Sequence, residues 1–452
     1  MNRTSSAILL ALIVLVIDNA FSQNYGQIPA AAQAQPIALL GATVHPVSAA
    51  PMANATVIFE NGKITALGQN VAIPANAKKI ELAGKHIYPA LIAANTTLGL
   101  IEIGSVRATL DLSETGLINP NVRAEVAVNP DGEMIPVTRA NGVALALSVP
   151  QGGLISGTSA LIMLDGWTWE QMTLKAPVGM HLNWPDMSVR RGWWMTQSEE
   201  EQRKQIQENL QKIKEAFAAA RAYMTAKNAE AKMSSRRHDS DSRWEAMIPV
   251  LERKIPVFVT ANEAKQIQAA VQWAEDEKLR VVMVGAKDAW RVAELLKEKN
   301  VPVVYGPIHD LPQRNWEAYD TPFSAPKKLF DAGVRFCIAN FDNANVRNLP
   351  YEAASAAAYG LPREEALKSI TLHAAEILGV ADRVGSLEIG KDATLIVTTG
   401  DPLEITTHVE HEFIQGREID LGNKHQALYE KYSEKYRRLQ KPTNGTKAAG
   451  TN

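Results

Sequence analysis

Between Leu251 and Asn340 four short apolar runs recur, LERKIPVFVTA, LRVVMVG, VPVVYG and GVRFCIAN. Two stretches of helical character, NEAKQIQAAVQWAEDEK and KDAWRVAELLKEKN, separate the first three. No other feature constrains the fold as much. A strand, a helix and a second strand in succession return the chain to the same end of the sheet, so the strands run parallel. Repeated βα units leave a barrel or a doubly wound sheet, and 452 residues give room for a barrel plus an accessory domain. In a barrel, chemistry collects at the carboxyl ends of the strands. That places Thr260, Gly285 and Asp342 on one rim.

Both flanks of this repeat are β-rich. IALLGATVHPV, ATVIFENGKITALG and KKIEL precede it, with Asn61-Gly62 as a two-residue hairpin signal. GSLEIGKDATLIVTTGDP and VEHEFIQGREID follow it, with Gly416 at a turn. Together residues 37–83 and 385–423 predict one small β-sandwich built from both ends of the chain, beside a barrel domain at 84–384. A helical insertion at 198–232 starts with the capping box Ser198-x-x-Glu201. Its seam of Ile206, Leu210, Ile213, Phe217, Ala220 and Met224 either packs on the barrel or makes a dimer contact. SSRRHDSDSR, with a solvated His238, reads as a polar loop, and 424–452 as a C-terminal helix and disordered tail.

Formal net charge is −2 with no large basic block, which removes the electrostatic basis for nucleic-acid binding. The single cysteine, Cys337, excludes an intrachain disulfide and a cysteine zinc site, and inside VRFCIA it reads as core. At the start, Arg3 and the apolar Ala7–Ile17 precede small residues Ala20 and Ser22. This is the pattern of a signal peptide over 1–22, too short to span a bilayer, and it predicts a periplasmic or secreted protein. Residues 23–36 read as a flexible leader.

In GKHIYPALIAANTTLGL (84–100) an apolar run from Ile87 to Ala94 leads into Asn95-Thr96-Thr97. The segment resembles the first barrel strand of the amidohydrolase superfamily, most closely its imidazolonepropionase-like branch of metal-dependent hydrolases. There PGLIDAHTH stands in this place and its His-x-His pair holds a divalent metal such as zinc. VRNLPY, TLHAAEILG and GSLEIGKDATLIV match the same branch, and the likeness runs from about Ile37 to Asp420. It implies a distorted TIM-type (β/α)8 barrel with a small β-sandwich, and hydrolysis of C–N bonds in a small cyclic amide or peptide-like compound.

The resemblance also assigns ligand positions. The first-strand histidines correspond to Asn95 and Thr97, the fifth-strand histidine to Thr260 in VTAN, and the sixth-strand histidine to Gly285. The eighth-strand aspartate corresponds to Asp342 within one residue. A bound dication lowers the pKa of water from about 15.7 to about 7, roughly 12 kcal/mol of deprotonation free energy. Neutral hydroxyl and amide groups do not replace that.

Two readings follow. One is a hydrolase that acts without an ordinary metal site, with Asp342 as general base. The other is a pseudoenzyme that binds a small ligand or partners an active metal-dependent paralogue, with a homodimer as a further possible assembly. Asn95, Thr97, Thr260, Asn262, His181 and Arg347 are the candidate binding residues in either case. Of the remaining histidines only His181 and His309 fall near the rim, and VGMHLNW is the candidate fourth strand. QGGLISGTSALI (151–162) is a plain turn or a backbone anion cradle. Trp167, Trp169, Trp184, Trp193 and Trp194 pack beneath loops or form a lid. No G-x-S-x-G elbow supports serine chemistry.

Overall fold

The computed structural model describes residues 28–193, 195–233 and 239–440. The segment expected to be a signal peptide, the first part of the expected leader, Trp194, residues 234–238 with His238, and residues 441–452 of the expected tail lie outside the described residues. The described chain opens with β1 (Ile37–Val44), β2 (Met52–Glu60), β3 (Lys63–Gly68), β4 (Lys78–Glu81) and β5 (His86–Pro89). Asn61 and Gly62, at φ +51° and +77°, close the β2–β3 hairpin in the left-handed conformation that the expected turn requires. β5 pairs with β1, so the apolar run read as one strand is two. Ile87 enters the small sheet's core, and β6 (Leu91–Thr96) starts the barrel. The barrel therefore begins at Leu91 rather than at residue 84.

β6 runs parallel to β7 (Val143–Ser148). β8 (Ile155–Thr158) and β9 (Ala160–Met163), broken only at Ser159, then fill the third barrel position in reverse. β9 is antiparallel to β7, and β8 is antiparallel to β11 (Met180–Asn183), while β10 (Thr173–Lys175) edges β9. From β11 the succession β12 (Val257–Ala261), β13 (Val281–Gly285), β14 (Val303–Tyr305) and β15 (Phe336–Ile338) is parallel throughout. Beyond β15 the Phe341 N–H donates to the Asn95 carbonyl at 3.1 Å and ties the last strand to the first. The result is the expected distorted TIM-type barrel.

The reversed strand corrects the reading of 151–162 as a turn or anion cradle. Its backbone donors are already engaged: the N–H groups of Leu154 and Ile155 donate to the Leu117 carbonyl at 2.7 and 3.0 Å. Gly157, at φ +128°, admits the long β6–β7 connection, because a Cβ there would lie 2.5 Å from the Val122 carbonyl oxygen.

The helix Ala264–Asp276 buries Ile267, Ala270, Val271, Trp273 and Ala274. The long helix Glu199–Met233 lies outside it and buries Ile213, Ala216, Phe217 and Ala220. The Phe217 ring meets Trp273 edge-on at 5.0 Å. The middle of the heptad seam, Ile213, Phe217 and Ala220, is thus covered by this chain's own barrel, as the first of the two readings has it. The capping box is formed: Ser198 N–H donates to the Glu201 carboxylate at 2.8 Å, and Glu201 N–H to Ser198 Oγ at 3.2 Å.

β16 (Leu395–Thr398), β17 (Val409–Ile414) and β18 (Arg417–Glu418) complete the small sheet in the order β18-β17-β16-β5-β1-β2-β3, with β4 also on β1. Phe59 of β2 touches Phe413 of β17 at 5.0 Å although three strands separate them in that order. The sheet therefore curls over a core of Leu39, Val57, Ile87, Leu395 and Val397. Each such side chain contributes roughly 1.5–3 kcal/mol by burial.

Asp165, just after β9, fastens this sheet to the barrel. It accepts from Arg139 at 3.2 Å, from Arg417 at 2.6 Å and from the Ala30 N–H at 3.3 Å. Gln33 Nε2 donates to the Phe59 carbonyl at 2.8 Å, and its Oε1 accepts from Gly62 N–H at 3.0 Å. The described part of the leader, expected to be flexible, is held by these bonds. The final helix runs Lys424–Gln440, and among the described residues no helix is long and apolar enough to cross a membrane.

Candidate functional site

Asn95 and Thr97 lie at the carboxyl end of β6, both buried. Between them the Thr96 hydroxyl donates to the Asp342 carbonyl at 2.5 Å and accepts from Leu98 N–H at 3.0 Å. The two strand ends that carry the family's first and last ligand positions are therefore side by side. The Asp342 carboxylate accepts from Ala344 N–H at 2.8 Å and from Asn345 Nδ2 at 2.6 Å. It caps its own loop, a common duty of aspartate at a turn. Arg347 follows in that loop: its guanidinium donates to the Ala344 carbonyl, and its own carbonyl accepts from Asn141 Nδ2 at 2.6 Å. Arg347 forms no ion pair with a described carboxylate.

On the opposite side β11 and β12 pair His181 with Phe258 and Asn183 with Thr260. Asn183 is level with Thr260, and His181 is one layer deeper. The imidazole is 3% exposed and stacks on Phe258 at 5.0 Å. Its Nε2 meets no partner, and burial pushes its pKa down to about 3, so it is neutral. His181 was placed near the rim by sequence; the rim residue of that strand is Asn183, whose Nδ2 donates to the Gly153 carbonyl at 3.0 Å and to Ser156 Oγ at 3.1 Å. The fourth strand does lie inside VGMHLNW.

Asn262 and Gly285 meet at the ends of β12 and β13. A Cβ at position 285 would stand 2.5 Å from Asn262 Oδ1, an atom that is buried without a hydrogen-bond partner. The asparagine amide therefore takes the space beside the sixth-strand ligand position. Gln266 secures this corner, accepting from Asn262 and Glu263 N–H at 3.0 and 2.9 Å and donating to the Trp184 and Pro185 carbonyls at 3.3 and 3.2 Å.

Two residues escaped sequence reasoning. Asn340, two positions before Asp342, donates from its amide to the Glu352 carboxylate. Glu352 is fully buried in the helix Leu349–Ala358 and accepts from Ile308 N–H at 2.9 Å. Burial raises its pKa to about 7, against the lowering effect of the two donors. At the neighbouring strand ends, buried Asp288 takes a forked contact from Arg314, at 2.9 and 2.7 Å, and Lys287 pairs with Asp310.

The family resemblance implies a divalent ion, and four of the five side chains at its ligand positions, all but Asp342, do not suit one. A catalytic zinc takes imidazole, thiolate or carboxylate. Asn95, Thr97, Thr260 and Gly285 offer amide, hydroxyl or nothing. Among the described residues no group of three or more His, Cys, Asp or Glu is arranged to hold a metal. Four other histidines have duties elsewhere: His45 with His86 at 2.9 Å in the small sheet, His309 with Ser355 at 2.8 Å, His411 with Glu418 at 3.1 Å. Cys337 is buried and its thiol pKa is pushed up. Trp184 packs against Trp273 at 5.4 Å and Trp169 lies partly buried on the core, whereas Trp167 and Trp193 are exposed.

A sequence model of the amidohydrolase family matches residues 169–419. The chain is similar to amidohydrolase tasK of Hapsidospora irregularis, 23% identical over 400 residues that make up 80% of this chain and 39% of that protein. It thus spans about two fifths of the length of that curated relative. An amidohydrolase from Thermotoga maritima MSB8 superposes with a TM-score of 0.76 at 27% identity, covering 85% of this chain and 99% of the other. Phenylurea hydrolase B superposes at 0.52 with 16% identity over 86% of this chain and 97% of its own, a likeness of fold alone.

Proposed function

Because the chain belongs to the amidohydrolase family, we propose that the carboxyl rim of its barrel takes a small amide or peptide-like compound, and does so without the metal-activated water of an ordinary site. One observation carries this reading: Asn262 Oδ1 lies 2.5 Å from where the first side-chain atom of a sixth-strand ligand would begin. Asn95, Thr97, Asn183, Thr260 and Asn262 supply hydroxyl and amide groups that match the donors and acceptors of an amide. Binding is favoured over turnover, because among the described residues the rim lacks imidazoles to activate a water and the Asp342 carboxylate is oriented by Ala344 and Asn345 of its own loop. The protein would then bind its ligand alone or beside an active paralogue, exported through its first 22 residues.

The test pairs metal analysis with titration. Protein purified without its signal segment should contain less than about one tenth of a metal per chain, and zinc or manganese should restore no amide hydrolysis. Calorimetric titration with cyclic amides and dipeptides should still detect binding, weakened by Asn262→Ala. Stoichiometric metal with turnover would sink the proposal, as would a panel in which nothing binds.

A further inference from the structure

At the opposite, amino-terminal mouth of the barrel, four successive strand entries each bring a cation. Arg253 precedes β12, Arg280 precedes β13, Lys299 precedes β14 and Arg335 precedes β15. All four line one cavity of about 350 Å3, together with Pro256, Val281, Val301 and Pro302 at the strand starts. Its size is that of a small-molecule site.

Of the four, Lys299 is paired with Glu275 at 2.8 Å, and the three arginines are not paired among the described residues. Arg280 donates only to the carbonyls of Arg253 and Lys254, at 3.3 and 3.5 Å, and Arg335 only to Asn300 Oδ1 at 3.2 Å. Among the described residues Arg253, Arg280 and Arg335 form no ion pair with a carboxylate. Glu275 and Glu376 also line the cavity, but Glu275 is held by Lys299 at 2.8 Å. Lys175 lies near enough to feel Arg280: after burial, that charge is the next cause that lowers its pKa, with Asp382 opposing it. A chain with net charge −2 has thus set four cations, three of them guanidinium groups, against the two carboxylates of Glu275 and Glu376 around a hollow. The lower face of a barrel ordinarily serves stability, and clustering like charges there does not.

We propose that this cavity binds a small polyanion whose adjacent oxyanion groups, phosphate or carboxylate, are gripped by Arg253, Arg280 and Arg335. Guanidinium forks match such oxygens in pairs, which a lone ammonium does not. The site is separate from the carboxyl rim, and its occupancy does not depend on what the rim binds.

Calorimetric titration of the exported chain at low ionic strength tests this, with pyrophosphate as the phosphate probe and citrate as the carboxylate probe. At least one should bind with a Kd below about 1 mM, and the tighter one identifies the source. The double substitution Arg280→Gln/Arg335→Gln should weaken it at least ~10-fold, with the melting curve without anion checked for an intact fold. Arg437→Gln/Arg438→Gln, on the final helix, should leave binding unchanged. The proposal is overturned if neither probe binds below about 10 mM, if a folded R280Q/R335Q protein binds as the parent does, or if the distal pair weakens binding as much.

Discussion

Gly285 stands where the family resemblance implies a histidine. The residue sits at φ +74°, and its missing side chain is what lets Asn262 occupy the corner. Gly285→His should cost about 1–3 kcal/mol through backbone strain and overpacking. Asn262→Ala in the same chain should recover part of that loss, and urea midpoints measure both. Glu352 carries a second prediction. Its folded pKa of about 7 exceeds the ordinary 4.5, so the native state holds its proton where the unfolded chain has released it. Stability is then full below about pH 4.5, falls as pH rises to about 7, and is flat above. The fall is on the order of 3 kcal/mol. Glu412, raised by burial to about 8, acts in the same direction and stretches the decline upward. Glu352→Gln should flatten the curve between pH 4.5 and 7 in chemical denaturation. The positions of Asn95, Thr97 and Thr260 were legible because each ends an apolar run. The Asn340–Glu352 contact was not, since the sequence gives no sign that a glutamate in an Ala-rich helix turns inward.

Elements were read correctly where a single periodicity decides them. The βα repeat after Ile255 and the capped helix Glu199–Met233 both lie where the pattern put them. The seam of that helix was read, but the choice between the barrel and a second copy was left open, because a heptad records an apolar face and not what covers it. Phe217 now identifies the partner as Trp273, at 5.0 Å. Phe217→Ala should destabilise the chain by about 3–5 kcal/mol, since the ring is fully buried and the helix cannot collapse into the space. Thermal unfolding measures it, and a loss below about 1 kcal/mol would mean that the helix is only loosely attached. The reversed third strand was hidden for another reason. Gly152, Gly153 and Gly157, all at positive φ, give QGGLISGTSALI the composition of a turn. Those conformations are imposed by the connection from β6 to β7, which packs against them and lies far earlier in the chain.

At the scale of the molecule, the composite sheet was legible because both flanks carry short alternating runs, whereas the joint between sheet and barrel was not. Arg139, Asp165 and Arg417 are far apart in sequence and carry no shared motif. In the structure Asp165 is buried between the two arginines and also accepts from Ala30 N–H, so one carboxylate serves the barrel, the sheet and the leader. Removing a carboxylate from such a pair costs about 3–5 kcal/mol, because the guanidinium groups stay buried while their attraction is lost. Asp165→Ala should therefore destabilise strongly, and Asp165→Asn less, since one acceptor oxygen remains. If the joint couples the two bodies, hydrogen exchange in Asp165→Ala should quicken around Ala30 and in β17 and β18 as well as beside Asp165. Faster exchange confined to the barrel would show that the sheet holds its place by its apolar contacts alone.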